Sequence, residues 1–428
     1  MRGRPSVRPE VQHHSVIVVG GGQAALALSH ELAREGCDHV LFEQHRAGHA
    51  WRERRWDSFC LVTPNWQCQL PGFPYPGDDP HGFMKKDQIV AYLDEYVRRT
   101  RPPLREGVRV TRVRRRRPGG FSVTTSAGNF SADHVVIAAG NYHVPKIPAW
   151  AGSLPAAVQQ LHASEYKNPK ALPEGAVLVV GTGQSGCQIA EDLHLAGRLV
   201  HLCVGGAPRV SRRYRGRDVV AWLSDMGHYD LPVDKHPLKE GVRQKANHYV
   251  TGRDGGRDID LRVFARDGMQ LHGRLLDIRD GKLCFGADLV KNLDAADATN
   301  ERIKASIDAY IEQHGIDAPS EAPYAPVYQP EQPALELDFN AAQIRSVIWS
   351  IGYRADFGFV DVPVFDVRGY PLHKRGVTPV PGLYFLGLPW MYTWGSGRFC
   401  GIARDAAFLA ERILEQRELR RLTQEAFA

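Results

Sequence analysis

VLVVGTGQSGCQIAEDL, residues 177–193, is the stretch that decides the fold. Four apolar residues lead directly into a glycine-rich turn, and a helical pattern follows the turn. Glycines at this spacing between a buried strand and a helix are typical of a loop that holds a dinucleotide pyrophosphate at the helix N-terminus. The residues that we expect to contact the dinucleotide here are Gly181, Gly183, Gln184, Ser185 and Gly186.

A similar unit, VIVVGGGQAALALSHEL, begins at Val16. Its turn carries the predicted contact residues Gly20, Gly22, Gln23 and Ala25. Glu43 ends the next apolar run, where an acid would bind the ribose hydroxyls of a dinucleotide. The acid favours FAD as the ligand of this first unit, and the alternative is a glycine-rich turn that binds nothing.

The second unit lacks a carboxylate at the position that corresponds to Glu43. The residues that follow its second apolar run include Arg209, Ser211, Arg212 and Arg213. Arginine pairs with a 2′-phosphate, which an acid would repel. The sequence therefore predicts NADPH in the second unit, and the alternative is an arginine-rich surface loop.

The composition narrows the class of protein. The chain has 428 residues with 43% hydrophobic and 24% charged residues and a net charge of +6, which suits two or three globular domains. Its seven cysteines include no CxxC pair, so neither a disulfide framework nor a redox pair is expected. We found no secretory signal, no membrane-length apolar run and no metal-binding motif, and we expect a cytoplasmic protein with neither membrane nor nucleic-acid partners.

We expect an α/β fold with two Rossmann-like dinucleotide-binding domains, the NADPH domain being inserted into the FAD domain. The predicted division is 1–145 for the first part of the FAD domain, 146–334 for the NADPH domain with a substrate-side insertion, and 335–428 for the second part of the FAD domain. The periodicity of residues 211–300 is mixed, and no role is predicted for them.

Several further motifs resemble those of the class B flavin-dependent monooxygenases, which include flavin-containing monooxygenases and Baeyer–Villiger enzymes. Gly48-His49-Ala50-Trp51 is similar to the family's G-G-x-W, and Ala138-Ala139-Gly140 with two later prolines is similar to its A-T-G-x-x-x-x-P-x-x-P. LVTPNWQCQLPGFPYP, residues 61–76, resembles its TP…LP…P segment. The resemblance covers nearly the whole chain and is closest to bacterial flavin-dependent oxidoreductases encoded near nitrilases. One departure concerns the family fingerprint F-x-G-x-x-x-H-x-x-x-[YF]. This chain matches it only at the last two positions, with His162 and Tyr166.

The resemblance implies a function. NADPH would reduce FAD, and a flavin C4a-(hydro)peroxide would transfer one oxygen atom from dioxygen to a small nucleophilic (nitrogen or sulfur) or carbonyl substrate. It also implies FAD contacts at Trp51, Gly140, Gly387 and Gly397. An NADPH-dependent FAD reductase or dehydrogenase without a stable oxygen adduct is the alternative function, and a non-catalytic nucleotide-binding protein is a third. A homodimer is possible.

Three polar residues are candidates for the catalytic site. Asn65 and Gln67 follow Thr63-Pro64 in the segment expected near the flavin ring, where an amide could donate a hydrogen bond to a peroxide oxygen. Asn65 is the first choice, and the alternative is a turn amide bonded to nearby backbone. Asp57 could orient the nicotinamide, or it could be a surface acid.

Overall fold

The computed structural model describes residues 11–426. The α-helices in this range are α1 Gln23–Arg34, α2 His49–Glu53, α3 Lys86–Thr100, α4 Gln184–Leu195, α5 Val219–Asp225, α6 Leu261–Arg266, α7 Leu289–His314 and α8 Phe399–Ala426. The strands are β1 Gln12–Val19, β2 His39–Phe42, β3 Gln69–Leu70, β4 Phe73–Pro74, β5 Leu104–Arg105, β6 Val110–Arg115, β7 Phe121–Thr125, β8 Gly128–Ile137, β9 Val144–Pro145, β10 Gln159–His162, β11 Ala176–Val180, β12 Val200–Cys203, β13 Arg213–Tyr214, β14 Arg217–Asp218, β15 Gln270–His272, β16 Leu275–Arg279, β17 Lys282–Phe285, β18 Glu336–Asp338, β19 Ile344–Trp349, β20 Tyr353–Arg354, β21 Val360–Asp361 and β22 Leu383–Phe385.

The first large sheet has the strand order β21-β6-β7-β8-β1-β2-β5, and β22 also pairs with β8. β1 is parallel to both β2 and β8, and the residues Val16, Ile17 and Val18 in its centre are fully buried. Continuous apolar runs of this kind suit parallel strands that are covered on both faces. Helix α1 follows β1 directly, which confirms the predicted strand–turn–helix unit near the N-terminus.

The second large sheet is parallel throughout, with the order β10-β19-β11-β12-β15. Helix α4 follows β11, so the opening stretch of the sequence forms the second strand–turn–helix unit. Two Rossmann-like units were predicted, and the α/β fold class is confirmed.

One predicted domain boundary is wrong. Strand β19 (344–349) lies in the middle of the second sheet, between β10 and β11, whereas the sequence-based division at 334/335 assigned it to the first domain. The apolar run of β19 indicates a buried strand but carries no information on which sheet buries it. The chain returns to the first domain only after β20, which pairs antiparallel with β9.

Residues 228–249 form a segment that reaches from the second domain to the C-terminal part of the first, and we call it the covering segment. The Val233 N–H donates to the Tyr392 carbonyl (2.7 Å), and Arg243 Nε donates to the Trp390 carbonyl (3.2 Å). Val233 and Val242 bury Trp390 in a small apolar core. Trp390 is therefore part of a domain core, and Trp394 packs against it.

No helix among residues 11–426 combines the length and apolar character that crossing a membrane requires.

Candidate functional site

The first glycine turn leaves open space at the start of α1. Gly20 has φ +126°, and a Cβ there would lie 2.5 Å from the Ala138 carbonyl oxygen. A Cβ at Gly22, by contrast, would meet no heavy atom within 4 Å. Since the first N–H groups of a helix lack partners within it, the N-terminus of α1 offers donors to a ligand in this space. Ala25 is fully buried and lets the helix approach the sheet closely.

Glu43 follows β2 and lies against this turn. A Cβ at Gly21 would be 2.8 Å from the Cβ and Cγ atoms of Glu43. The carboxylate also accepts a hydrogen bond from the His45 N–H (2.9 Å). The structure therefore brings the predicted acid to the turn. A groove of about 750 Å³ opens beyond it, lined by His45, Arg46, His49, Arg52, Glu53, Lys86, Asp87, Val90, Glu106 and Gly107.

The predicted FAD contacts from distant parts of the chain meet beside α1. Gln23 Nε2 donates to the Gly397 carbonyl (3.0 Å), and Trp51 Nε1 donates to Gln23 Oε1 (3.1 Å). The Gly387 backbone packs so closely on α1 that a Cβ there would lie 2.8 Å from the Ala24 Cβ. Gly140, which follows β8, has φ +78° and open space at its Cβ position. The residues named for this site thus form one surface around the helix N-terminus.

The second glycine turn repeats this construction at the start of α4. A Cβ at Gly186 would lie only 1.9 Å from the Gly181 carbonyl oxygen, so this position requires glycine. A Cβ at Gly183 would meet nothing within 4 Å, and Ser185 is exposed. Gln184 Nε2 donates to the Val250 carbonyl (2.5 Å), which fixes the edge of the turn.

Two of the arginines predicted to bind a 2′-phosphate are buried and bound to other groups of the chain. Arg209 is buried, and its Nε pairs with Asp297 (2.5 Å). Arg212 is 1% exposed and donates to the Val62 carbonyl (2.8 Å) with Asp218 nearby (3.3 Å). Ser211 is buried as well, and only Arg213 is exposed. The prediction for Arg209, Ser211 and Arg212 is corrected, because the chain turns inward after β12 and burial of these cations requires acidic or carbonyl partners.

Arg274 is the cation that sequence reasoning missed. It follows β15, the parallel neighbour of β12, and its NH2 lies 3.4 Å from the position of a Gly206 Cβ. The Gly205 N–H in turn donates to Thr182 Oγ1 in the glycine turn (2.9 Å). The side chain is 59% exposed and pairs loosely with Asp288 (3.3 Å). Only the strand order places Arg274 here, since nothing in its local sequence signals it.

Asn65 and Gln67 lie in a short 3₁₀ helix, and both are buried. Asn65 Nδ2 donates to the Asp79 carbonyl (2.9 Å), and its Oδ1 accepts from the Met84 N–H (2.7 Å). The amide therefore holds a loop together, which favours the alternative interpretation of Asn65 as a turn amide bonded to nearby backbone. Gln67 Oε1 is buried and has no hydrogen-bond partner within the described chain.

Asp57 lies at the surface and bridges two segments of the chain. It accepts hydrogen bonds from Asn168 Nδ2 (2.7 Å) and Lys86 Nζ (3.2 Å). The hydrogen bond from Asn168, together with Lys86, holds the pKa of Asp57 below its usual range. These contacts favour the alternative interpretation of Asp57 as a surface acid.

Asp192 on α4 joins the two domains. Its carboxylate accepts from Ser58 Oγ (2.6 Å), Tyr166 Oη (2.7 Å) and Arg253 NH1 (2.8 Å). Burial, followed by the Asp192 carboxylate, raises the pKa of Tyr166. The helix that begins at the second turn is therefore bound to the segment that precedes Asn65 and Gln67.

Groups of three or more His, Cys, Asp or Glu side chains that could hold a metal ion do not occur in residues 11–426. The cysteines in this range are free, and burial raises the pKa of the Cys60 and Cys400 thiols to about 11 and of the Cys68 thiol to about 12.

Comparison with protein families gives a match of residues 17–245 to the pyridine nucleotide-disulphide oxidoreductase model. A CzcO-like oxidoreductase of Geobacillus kaustophilus is 32% identical over 93% of this chain and 98% of its own length. The indole-3-pyruvate monooxygenase YUCCA1 of Oryza sativa is 31% identical over 44% of this chain and 46% of its own.

Solved structures share the fold over almost the entire chain. A flavin-containing monooxygenase from Stenotrophomonas maltophilia has a TM-score of 0.65 at 18% identity and covers 95% of this chain and 99% of its own. An ornithine N-hydroxylase of Kutzneria sp. 744, solved with reduced FAD, NADP⁺ and L-ornithine, has a TM-score of 0.61 at 15% identity, covering 95% and 100%. A bacillithiol disulfide reductase from Bacillus cereus has a TM-score of 0.60 at 16% identity over the same shares, so the fold alone does not separate oxygenation from reduction.

Proposed function

Because the chain belongs to the pyridine nucleotide-disulphide oxidoreductase family, we propose that it is an FAD-dependent monooxygenase that takes its electrons from NADPH. One oxygen atom of dioxygen would enter a small nucleophilic (nitrogen or sulfur) or carbonyl substrate. The other would leave as water while NADPH is oxidised to NADP⁺. The observation that carries the proposal is the pair of open glycine turns, one with a carboxylate beside it and the other with a cation.

The residues at the first turn fit FAD. The open face of Gly22 and the N-terminus of α1 suit a pyrophosphate, and Glu43 suits ribose hydroxyls. Trp51, Gln23 and Gly397 would border the flavin end of the site. FAD, when bound, supplies the chemistry, since it accepts hydride and reacts with dioxygen.

The residues at the second turn fit NADPH. Gly183 leaves the pyrophosphate position open, and Arg274 supplies a positive charge where the 2′-phosphate would be expected, at the end of β12. NADPH would enter and leave at this turn while FAD stays in the first. The hydrogen bond between Ser58 and Asp192 holds the helix that begins at the second turn against the first domain.

Gln67 is the side chain that we assign to the oxygen chemistry. Its amide is buried without a hydrogen-bond partner for Oε1 among the described residues, and such a group gains when a ligand supplies one. Its Oε1 would accept a hydrogen bond from an N–H group of the flavin edge, and the buried side chain would keep water from that position.

Disulfide reduction is less well supported. A thiol acts as a nucleophile only as thiolate, and the raised pKa values of Cys60, Cys68 and Cys400 keep these side chains protonated. The alternative that stays open is a reductase that passes electrons to dioxygen and releases only hydrogen peroxide.

Rapid mixing of the reduced, NADP⁺-bound protein with oxygen tests the proposal. A delay before the oxidised flavin spectrum returns, together with one oxygen-18 atom in the product, is the expected result. Immediate return of the oxidised spectrum with stoichiometric hydrogen peroxide would establish the reductase instead. A purified protein that takes up no FAD would exclude both.

A further inference from the structure

Two arginines at the junction of the domains have no carboxylate partner. Arg55 NH1 donates to the Arg54 carbonyl (2.8 Å), and its guanidinium lies over the rings of Trp51 (4.9 Å) and Phe59 (5.4 Å). Arg398 lies over the Trp394 ring (4.0 Å), donates to the Trp394 carbonyl, and donates to Asn247 Oδ1 in the covering segment (3.1 Å). Neither side chain forms an ion pair with an acid of the part of the chain that the structure describes.

The buried arginines among the described residues are neutralised. Arg209, Arg212 and Arg262 each have a carboxylate oxygen within 3.3 Å. Taking a cation out of water is costly unless a partner compensates, and this pattern follows that rule. Arg55 and Arg398 are half-buried without such a partner, as are Arg54 and Arg198, and they are set apart because they lie on one aromatic pair.

The two arginines flank one aromatic pair. Trp51, whose ring contacts the Arg55 guanidinium, also stacks on Phe399 with 5.7 Å between ring centroids. Phe399 directly follows Arg398 in the sequence. Burial lowers the pKa of both guanidinium groups, and Tyr142 acts electrostatically on both in the opposite direction. Arg54, the neighbour of Arg55, donates to the Tyr142 carbonyl (3.0 Å), and Tyr142 is 55% exposed. The stack of Trp51 on Phe399 thus places both cations on the same partly exposed surface.

This surface adjoins the proposed flavin end of the first dinucleotide site. Trp51 Nε1 bonds Gln23 of the glycine turn, and the carbonyl of Gly397 bonds the same glutamine. A ligand held by the arginines would lie beside the surface where the flavin is proposed to bind. The pyrophosphate positions at Gly22 and Gly183 have their own helix N-termini and do not need these cations.

We propose that Arg55 and Arg398 form a carboxylate-binding site, so that the substrate is a small organic acid anion whose nucleophilic atom faces the flavin. This inference rests on the proposed function and names the substrate class for the same site. A guanidinium binds a carboxylate through paired hydrogen bonds, and the flat faces of Trp51 and Trp394 keep both side chains oriented.

The test uses two probes that differ only in charge, 3-(methylthio)propanoate and 3-(methylthio)propanamide. The FAD-loaded protein is titrated with each probe, and binding is read from the flavin absorbance. We expect the carboxylate to bind about tenfold more tightly than the amide. Arg55→Met and Arg398→Met should each remove that preference, whereas Arg55→Lys and Arg398→Lys should retain part of it. Met keeps the apolar stem that packs on the indole rings.

Arg279→Met is the matched control, because Arg279 is 74% exposed on the β16–β17 hairpin and lies outside both sites. The FAD content and the KM for NADPH should stay the same in all these variants. A parent protein that binds FAD but shows no preference for the carboxylate would overturn the inference and leave the proposed function standing. A roughly tenfold rise in the KM for NADPH with an unchanged preference would overturn it too, since the arginines would then bind cofactor phosphates. Failure to bind FAD would instead refute the proposed function.

Discussion

Asn65 and Gln67 belong to the same short helix, yet their amides have different surroundings. Both Asn65 amide atoms bind a backbone group, whereas Gln67 Oε1 has no partner in the described chain. Replacing Asn65 by Leu should lower the free energy of unfolding by about 1–3 kcal/mol, since two buried backbone groups lose their partner. Gln67→Leu should leave the stability nearly unchanged but raise the hydrogen peroxide formed per NADPH severalfold.

Urea unfolding and a peroxide assay on the two variants measure both effects. The result that contradicts this assignment is the reverse one, in which Asn65→Leu is stable and releases peroxide while Gln67→Leu behaves like the parent.

Arg274 carries the prediction on cofactor choice. Arg274→Ala should raise the KM for NADPH by about tenfold and leave the KM for NADH almost unchanged, because only NADPH has the 2′-phosphate. Arg213→Ala is the matched control, since Arg213 is the exposed member of the arginine group that the sequence suggested. Steady-state kinetics with both nucleotides decide the matter, and equal effects of Arg274→Ala on NADPH and NADH would refute the assignment.

Individual residues were predictable from sequence where one local motif fixes them. Gly20, Gly181 and Gly186 are required by their own turns, and the close approaches in the structure agree with the spacing. Asn65 could not be resolved, because its bonding partners, the Asp79 carbonyl and the Met84 N–H, belong to a loop without a recognisable pattern.

At the scale of elements, the two strand–turn–helix units permit a matched pair of substitutions. Gly22 (φ −82°) and Gly183 (φ −62°) have backbone conformations that alanine adopts freely, and their Cβ positions face open space. Gly22→Ala should therefore fold normally but bind FAD at least about tenfold more weakly, since the methyl group occupies the pyrophosphate position. Gly183→Ala should retain FAD and raise the KM for NADPH instead.

Flavin content after purification and NADPH kinetics separate these effects. Gly152→Ala, another site with open space at Cβ and outside both turns, should change neither. If Gly22→Ala and Gly183→Ala affected the same nucleotide, the assignment of one turn to each dinucleotide would be wrong.

Helices and strands were predicted well where the hydrophobic period was clear, but the pairing of the strands was not predicted. The two strand–turn–helix units, which the glycine motifs indicated, are confirmed as β1–α1 and β11–α4. The sheet that receives β19, and the position of β15 beside β12, depend on contacts between segments far apart in sequence. No local pattern indicated the covering segment either. Its short helices and turns are held by contacts with the first domain.

For the whole molecule, buried histidines predict sensitivity to acid. His201 Nδ1 and His272 Nε2 are 2.9 Å apart on neighbouring strands of the second sheet. Burial lowers the pKa of both to about 4, below the value of about 6.5 expected in the unfolded chain. The folded state thus binds fewer protons, so stability is fully present above pH of about 6.5 and falls as the pH drops towards about 4.

Urea midpoints measured at several pH values between these limits should show this decline. The double variant His201→Leu, His272→Leu should show a shallower decline than the parent, although His134, with a pKa of about 4, still contributes. An identical slope in parent and variant would show that the pair does not govern the acid response.

The position of the second sheet within the chain has a consequence for biosynthesis. The edge of β8 that receives β22 at Val135–Ile137 cannot be paired until residues 383–385 leave the ribosome, long after β8 itself. The last strand of the second sheet to be synthesised is β19, so all five strands of that sheet are available before β22 is made. The inserted domain therefore closes first on the nascent chain, while the first domain keeps an open strand edge that is prone to intermolecular pairing. Translation that stops between β19 and β22 would release a chain in which the second sheet has all its strands. The first sheet would keep an unpaired strand edge that can associate with other chains.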